Sequence, residues 1–171
     1  MKTGMKSDQA EKLAFKVVED MGGTFVMALG YIGRHLGLFD ALADSGPMTS
    51  QALADKTGLN ERYVREWGKA MAAAEYIEYE PDTERFAMTD EQAFVLTNED
   101  SPLFVGGALQ FATPTTYNVP KIMEAFKVGG GIPYSEIGDE IPQAIEQFFR
   151  PSYLNFLTQK WVTDVPGLES K

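Results

Sequence analysis

The feature of the sequence that most constrains the fold is the spacing of three small or branched residues. Ala54, Gly58 and Val64 stand at relative positions 0, +4 and +10. A helix-turn-helix needs a small residue where its helices cross, a Gly at the turn and a branched apolar residue in the second helix. The spacing therefore predicts a helix-turn-helix, with a first helix over 51–56 and a second over 61–74.

Local signals support these two helices and add a hairpin. Thr49 and Asn60 stand at N-cap positions, where their side-chain oxygens can accept a bond from a free backbone N–H. Beyond the second helix, apolar residues alternate over 76–79 and 85–88 around a turn signal, which is typical of two strands. Helix, turn, helix and hairpin together predict a winged helix over 47–93.

The N-terminal segment, 1–46, is predicted to form helices, with Gly22-Gly23 as a stop between two helical stretches. Gly inside a helix costs roughly 1 kcal/mol against Ala, so helical glycines need a packing reason. Gly68 is unexpected in the second helix of the winged helix, where a bulkier apolar residue fits better. In the second N-terminal stretch, small residues predict close approach to another helix, from a second subunit or within an ordinary core. These residues are Ala28, Gly30, Gly33 and Gly37.

The remainder of the chain is predicted to be a helical connector over 94–164, followed by a linker over 165–171. The helix signals from residue 89 onward are a capping box at Thr89 to Gln92, a start at Ser101-Pro102, a helix around 122–127 after Thr113-Pro114, and a helix over 141–160 that is interrupted by Pro142 near its start and by Pro151. The fold class expected is mainly α, with one small β-hairpin wing.

Charge weighs against a nucleic-acid partner. The chain has 15 Lys and Arg against 25 Asp and Glu, a net charge of −10. Residues 49–88 carry five basic and eight acidic side chains. Because affinity for phosphate backbones comes largely from clustered Lys and Arg, DNA binding is not expected. Arg62, Arg65 and Lys69 form a basic stripe on the second helix. The alternative to DNA contact is a solvated face, on which these side chains pair with Glu61 and Glu66.

No complete catalytic or metal-binding set is visible in the residues themselves. The chain has no Cys and a single His, His35, which excludes a disulfide framework, a thiolate nucleophile and a Cys-based zinc site. Gly129-Gly130-Gly131 fails the G-x-G-x-x-G test because Tyr134 stands where the last Gly belongs. Residues 1–12 lack the apolar core of a signal peptide. The apolar run 21–33 is shorter than the roughly 20 residues of a membrane span. A cytoplasmic location is therefore expected.

Several segments carry a family resemblance. The runs at 37–42 (GLFDAL), 48–54 (MTSQALA) and 58–67 (GLNERYVREW) resemble the N-terminal winged-helix region of bacterial class I S-adenosylmethionine-dependent methyltransferases. Similar patterns occur in the dimerisation domains of plant and microbial O-methyltransferases. The segments 100–102, 129–134 and 149–151 resemble the helical connector of the bacterial group.

The resemblance implies a partial enzyme. In that family a donor-binding Rossmann-like domain follows a Pro-Gly-Leu linker, whereas this chain ends at Lys171 just after Pro166-Gly167-Leu168. The expectation is an N-terminal half that dimerises, forms part of a lid over a small-molecule substrate and is not catalytic alone. Full-length members of the family would bind S-adenosylmethionine, and no residue of this chain is expected to bind the cofactor.

By position, the resemblance makes four connector residues candidates for lining the substrate pocket: Tyr134, Arg150, Tyr153 and Trp161. Core packing and surface pairing are their alternative roles. Two other functions remain open for the chain. One is a stand-alone winged-helix transcriptional regulator that senses a ligand. The other is a small-molecule binding protein with an apolar pocket within 101–161.

Overall fold

Helices and one small sheet make up residues 6–167, the part of the chain that the computed structural model describes. The elements in chain order are α1 Ser7–His35, α2 Leu38–Ser45, β1 Met48–Thr49, α3 Ser50–Thr57, α4 Glu61–Ala73, β2 Glu78–Glu80, β3 Arg85–Ala87, α5 Asp90–Leu96, α6 Gly106–Tyr117, α7 Val119–Val128 and α8 Glu140–Phe156. A 3-10 turn over Tyr134–Glu136 precedes α8, and a π turn over Leu157–Trp161 follows it. The mainly helical prediction is confirmed. Residues 168–171 of the predicted linker 165–171 lie outside the described residues, and so do residues 1–5 of the predicted N-terminal segment.

The winged helix forms as predicted. Thr49 Oγ1 accepts from the Ala52 N–H at 3.2 Å, and Asn60 Oδ1 accepts from the Arg62 N–H at 3.1 Å. Gly58 ends α3 in the left-handed region at φ +69°. The sheet has the order β1-β3-β2, with antiparallel pairing throughout. Strand β1 is not among the predicted elements, because two residues carry no readable alternation.

The core of the winged helix explains Gly68. Buried apolar side chains from α2, α3, α4 and the sheet meet there: Leu38, Phe39, Leu42, Leu53, Val64, Met71, Ile77 and Phe86. A Cβ on Gly68 would stand 2.8 Å from Cζ of Phe86. The expectation of a bulkier residue at position 68 is therefore wrong, since the Phe86 ring occupies that space.

Helix α1 runs without a break, so the predicted stop at Gly22-Gly23 is wrong. A Gly pair lowers helix propensity but ends a helix only where the backbone turns left-handed. That turn comes at Gly37, with φ +68°. At 29 residues, α1 is about 43 Å long. No helix among residues 6–167 is long and apolar enough to cross a membrane.

The predicted close approach of α1 to another helix is found within the chain. A Cβ on Gly33 would stand 2.5 Å from Cζ2 of Trp67 on α4, and one on Gly30 would stand 2.8 Å from Cδ2 of Leu109 on α6. Trp67 also donates its indole N–H to the Leu29 carbonyl at 3.0 Å. The C-terminal part of α1 is thereby held against both the winged helix and α6.

The C-terminal helices differ from prediction in two places. The residues at Ser101-Pro102 form a turn in which Ser101 Oγ accepts from the Leu103 N–H at 3.1 Å, and the helix begins only at Gly106. Pro114 and Pro151 lie inside α6 and α8 without ending them. Each Pro removes one backbone hydrogen bond, and the flanking helical bonds carry the chain past it.

Candidate functional site

An apolar pocket of about 510 Å³ lies between α1, α6 and α8. Beside the pocket, α6 and α8 cross closely, since a Cβ on Gly107 would stand 2.4 Å from the backbone N of Phe148. All eight lining side chains are apolar: Met27, Ala108, Phe111, Ala112, Ala144, Ile145, Phe148 and Phe149. We call this the α6–α8 pocket. Without a polar group in its lining, it can bind by burial of apolar surface and has no group for acid–base chemistry.

A group of polar side chains lies further along the same helices. Tyr31 is one turn beyond Met27 on α1, and Glu140 is the first residue of α8. Burial, and then the nearby Glu140 carboxylate, raise the pKa of Tyr31 above its ordinary value. The Tyr31 ring stacks on His35 with centroids 4.9 Å apart. The structure thus gives the single His a packing contact on α1.

The four predicted pocket residues do not form one cluster. Tyr153 and Trp161 contact each other edge to face, with ring centroids 5.8 Å apart. Tyr134 is 69% exposed and, among residues 6–167, no hydrogen bond, ion pair or ring contact joins it to the other three. None of the four lines the α6–α8 pocket, whose aromatic residues directly precede Arg150 on α8.

Arg150 forms ion pairs with two carboxylates and does not line the α6–α8 pocket. Its Nε and Nη2 donate to the two oxygens of Glu146, at 2.6 Å each, and Nη1 lies 3.6 Å from Glu99. Hydrogen bonds from Arg150 lower the pKa of Glu146. Glu99 also pairs with Arg34 at 2.5 Å. The side chain of Arg34 is only 8% exposed, and its guanidinium lies over the Phe104 ring. Glu99 therefore joins α1 to α8 through two arginines.

The outer face of the helix-turn-helix is electrically mixed. A groove of about 480 Å³ between α3, α4 and the wing is lined by three carboxylates and two cations: Glu61, Glu66, Glu84, Arg65 and Lys69. Arg65 lies 3.7 Å from Glu61, which also accepts from Ser50 Oγ at 2.7 Å. The basic side chains on this face are partly neutralised by their own neighbours.

Two apolar surfaces are left uncovered. The first, which we call the arm surface, is on the N-terminal part of α1, where every residue from 7 to 25 is exposed: its large apolar members are Leu13, Phe15, Val17, Val18, Met21 and Phe25. The second consists of two groups, which together we call the connector surface: Met123, Phe126 and Val128 on α7, and Tyr153 and Leu154 at the end of α8. Exposed apolar surface of this extent marks an interaction site in a folded protein.

Seven of the eight residues that line the α6–α8 pocket lie within 101–161, where the sequence left an apolar pocket open as one alternative, but the sequence did not indicate which residues form its walls. Met27 of α1 lies outside that range, and no pattern in the sequence brings these three helices together. Within residues 6–167, no group of three or more Asp, Glu or His side chains could hold a metal ion.

Comparison with known proteins agrees with the fold. The family model described as Rv2258c-like winged HTH domain matches residues 24–98. No curated protein sequence matches the chain. The match and the fold together show a winged HTH domain at residues 24–98, beginning inside α1 and ending after α5.

Solved structures share the fold over most of the chain. The mitomycin 7-O-methyltransferase MmcR matches at 24% identity with a TM-score of 0.58, over 85% of this chain and 45% of that one. PigF with SAH matches at 16% identity with a TM-score of 0.66, over 90% and 48%. RosA from Streptomyces davawensis, an N,N-8-amino-8-demethyl-D-riboflavin dimethyltransferase, matches at 23% identity with a TM-score of 0.56, over 87% and 48%. The chain thus spans about half the length of the structures it matches.

Proposed function

We propose that this chain is the winged-helix, dimerisation and substrate-lid portion of an S-adenosylmethionine-dependent methyltransferase that acts on a small molecule. The observation that carries the proposal is the match of 85–90% of this chain to less than half of MmcR, PigF and RosA. Two of those proteins are methyltransferases by name, and the structure of the third holds SAH. The rest of such an enzyme would supply the methyl donor.

The described residues do not fit S-adenosylmethionine. A class I donor site is built from a parallel β-α-β unit with a Gly-rich turn. The strands among residues 6–167 are two or three residues long, antiparallel and confined to the winged helix. No step of methyl transfer is assigned to this chain, which is proposed to be inactive alone.

The lid role is supported by the connector surface. Phe126 is 88% exposed on α7, and Tyr153 lies half-exposed on α8 next to Trp161. A donor-binding domain and its substrate would cover these side chains. We therefore keep Tyr134, Arg150, Tyr153 and Trp161 as proposed substrate-facing residues. A lid contributes to catalysis by holding the acceptor in place and excluding water.

The winged helix is proposed to act in assembly rather than in DNA binding. Its outer groove has more carboxylates than cations, and acidic groups facing phosphates repel them. The alternative function, a winged-helix transcriptional regulator, would require binding to duplex DNA, with an affinity that falls steeply as the salt concentration rises.

The first test is a calorimetric titration of the purified chain with S-adenosylhomocysteine. The expected result is no saturable heat, because the donor site lies in the other half of the enzyme. Saturable micromolar binding would overturn this assignment and place a donor site within these residues. A parallel titration with a duplex DNA oligonucleotide at low and high salt tests the regulator. Tight, salt-sensitive DNA binding would replace the methyltransferase proposal with that function.

A further inference from the structure

We propose that a crevice between the winged helix and α6 binds a small aromatic cation, a ligand with an apolar body and one positive charge. We call it the junction crevice, and it has a volume of about 400 Å³ between α1, the end of α4, α5 and α6. Six apolar side chains line it: Met27, Val95, Leu96, Val105, Ala108 and Leu109. The proposal goes beyond the methyltransferase assignment and does not depend on it.

The shape of the junction crevice is fixed by contacts around it. The Val105 N–H donates to the Val95 carbonyl at 2.9 Å, which holds the start of α6 against the end of α5. Leu109 packs on α1, where a Cβ on Gly30 would stand 2.8 Å from its Cδ2. Leu96 and Leu109 are buried, whereas Val105 is 38% exposed. The crevice therefore has an apolar floor and an opening to solvent, and its volume lies within the roughly 300–1,000 Å³ of small-molecule sites.

Carboxylates stand at this crevice without a cationic partner. Glu75 and Glu91 line it, together with Gln92. Gln92 Nε2 donates to Glu78 Oε1 at 3.0 Å and to the Glu75 carbonyl at 3.4 Å, so Glu78 lies beside the other two. Among residues 6–167, no Lys or Arg lines the crevice, and no ion pair includes any of these three carboxylates.

The charge near the crevice is negative overall. Lys69 lies with Glu75 and Glu78 along a neighbouring groove, so one cation stands among three carboxylates in this region. Hydrogen bonds from its own backbone N–H and from the Thr89 hydroxyl lower the pKa of Glu91, which keeps that carboxylate ionised at neutral pH. The net charge of the chain, −10, has the same sign. The crevice therefore attracts cations and repels anions.

An apolar floor beneath an acidic opening selects for an organic cation. Within residues 6–167, no group of three or more acidic or His side chains could hold a metal ion, so an inorganic cation has no ligand set here. Tyr76, next to Glu75 in the chain, also lines the crevice, and aromatic rings attract a cation held over their face. A quaternary ammonium suits this site, because it carries a positive charge and has no N–H that burial would leave unpaired.

Charge selectivity distinguishes the junction crevice from the α6–α8 pocket. Met27 and Ala108 line both spaces and stand between them. The α6–α8 pocket has no polar lining, so it has no group that would favour a cation over a neutral molecule of the same shape. Binding in the junction crevice should depend on the charge of the ligand.

The test is a calorimetric titration of the unmodified chain with three compounds that share one naphthalene ring. They are a cation, trimethyl(2-naphthylmethyl)ammonium, a neutral alcohol, 2-naphthylmethanol, and an anion, 2-naphthoate. We expect the cation to bind saturably and about tenfold more tightly than the alcohol, because the carboxylates and the Tyr76 ring favour it, and the anion to bind most weakly. Raising the salt concentration should bring the affinity for the cation toward that for the alcohol.

A charge-matched pair of variants identifies the carboxylates responsible. Glu75→Gln combined with Glu91→Gln should lower the affinity for the cation about tenfold and leave the affinity for the alcohol unchanged. Glu66→Gln combined with Glu84→Gln makes the same change in net charge in the outer groove of the winged helix. This control should leave the affinity for the cation within about twofold, because distant charges are screened by salt.

Filling each space in turn locates the ligand. Val105→Trp places a large side chain at the opening of the junction crevice and should abolish binding of both the cation and the alcohol. Ile145→Trp does the same in the α6–α8 pocket and should leave the affinity for the cation unchanged. Far-UV circular dichroism verifies that each variant retains the helical fold.

Three results would overturn the proposal. Equal affinities for the three naphthalene compounds would show that the carboxylates do not select the ligand. Loss of cation binding in Ile145→Trp, with retention in Val105→Trp, would place the ligand in the α6–α8 pocket. No saturable binding of the cation by the unmodified chain would remove the site altogether. The S-adenosylhomocysteine titration tests a different claim, so this proposal and the methyltransferase assignment can fail separately.

Discussion

Gly68→Ala is expected to destabilise the winged helix, although Ala is the better helix former. The added Cβ would lie 2.8 to 3.0 Å from three atoms of the Phe86 ring. Carbon atoms pack at about 3.5–4.0 Å, so the ring would have to move by more than half an ångström. Phe86 is 1% exposed, lies on the central strand and packs against Tyr79 with ring centroids 4.9 Å apart.

The magnitude follows from two opposing terms. Forcing a methyl group into a packed core costs about 1–3 kcal/mol. Replacing Gly by Ala in a helix returns about 1 kcal/mol. The net expectation is a loss of about 1 kcal/mol in the free energy of unfolding, measured by urea denaturation followed by circular dichroism. Chain concentration must be held constant, because any dimer makes the apparent stability depend on it.

A double-mutant cycle identifies the contact responsible. Phe86→Leu removes the edge of the ring that the new Cβ would meet. In that background Gly68→Ala should stabilise the protein by up to about 1 kcal/mol, which gives a coupling of about 2 kcal/mol between the two positions. Equal effects in both backgrounds, within about 0.5 kcal/mol, would refute the steric explanation of Gly68.

Three further results are expected. Thr89→Ala removes the capping-box oxygen of α5 and should cost about 1 kcal/mol in urea denaturation, with Thr89→Ser as the control that retains it. Arg150→Ala should return the lowered pKa of Glu146 toward the ordinary value of a glutamate, as measured by NMR carboxyl titration; an unchanged pKa would contradict the pairing. Because the folded-state pKa of Glu146 is depressed, the stability from this pair is present above the unfolded pKa and is lost as the pH falls through the folded value. Gly33→Ala should displace the Trp67 indole, shift its fluorescence and lower stability by about 1–3 kcal/mol, whereas an unchanged spectrum and stability would show that α1 and α4 can separate freely at this point.

The helix-turn-helix was predictable because each of its signals is local. Thr49, Asn60 and Gly58 act on backbone groups within four residues of themselves, so their roles can be read without knowing the fold. The same holds for the capping box that begins α5.

The errors arose where a distant residue decides the outcome. Position 68 looks wrong for a Gly until Phe86, eighteen residues later, is placed against it. Gly22-Gly23 predicts a stop, whereas the left-handed turn that ends α1 comes only at Gly37. The α6–α8 pocket joins Met27, Ala108 and Ala144, and no short-range pattern reports that these residues meet.

The continuity of α1 has a mechanical consequence. The helix is in close contact with Leu109 at Gly30 and with Trp67 at Gly33, while all 19 residues from 7 to 25 at its other end are exposed. The helix therefore acts as a lever. Its fixed end is at residues 30–33, and its exposed end, residues 7–25, is about 28 Å long. Each degree of tilt at the fixed end swings the tip by about half an ångström. A sub-ångström repacking of Trp67 would thus be magnified severalfold at Leu13, so the winged helix sets where the arm surface lies.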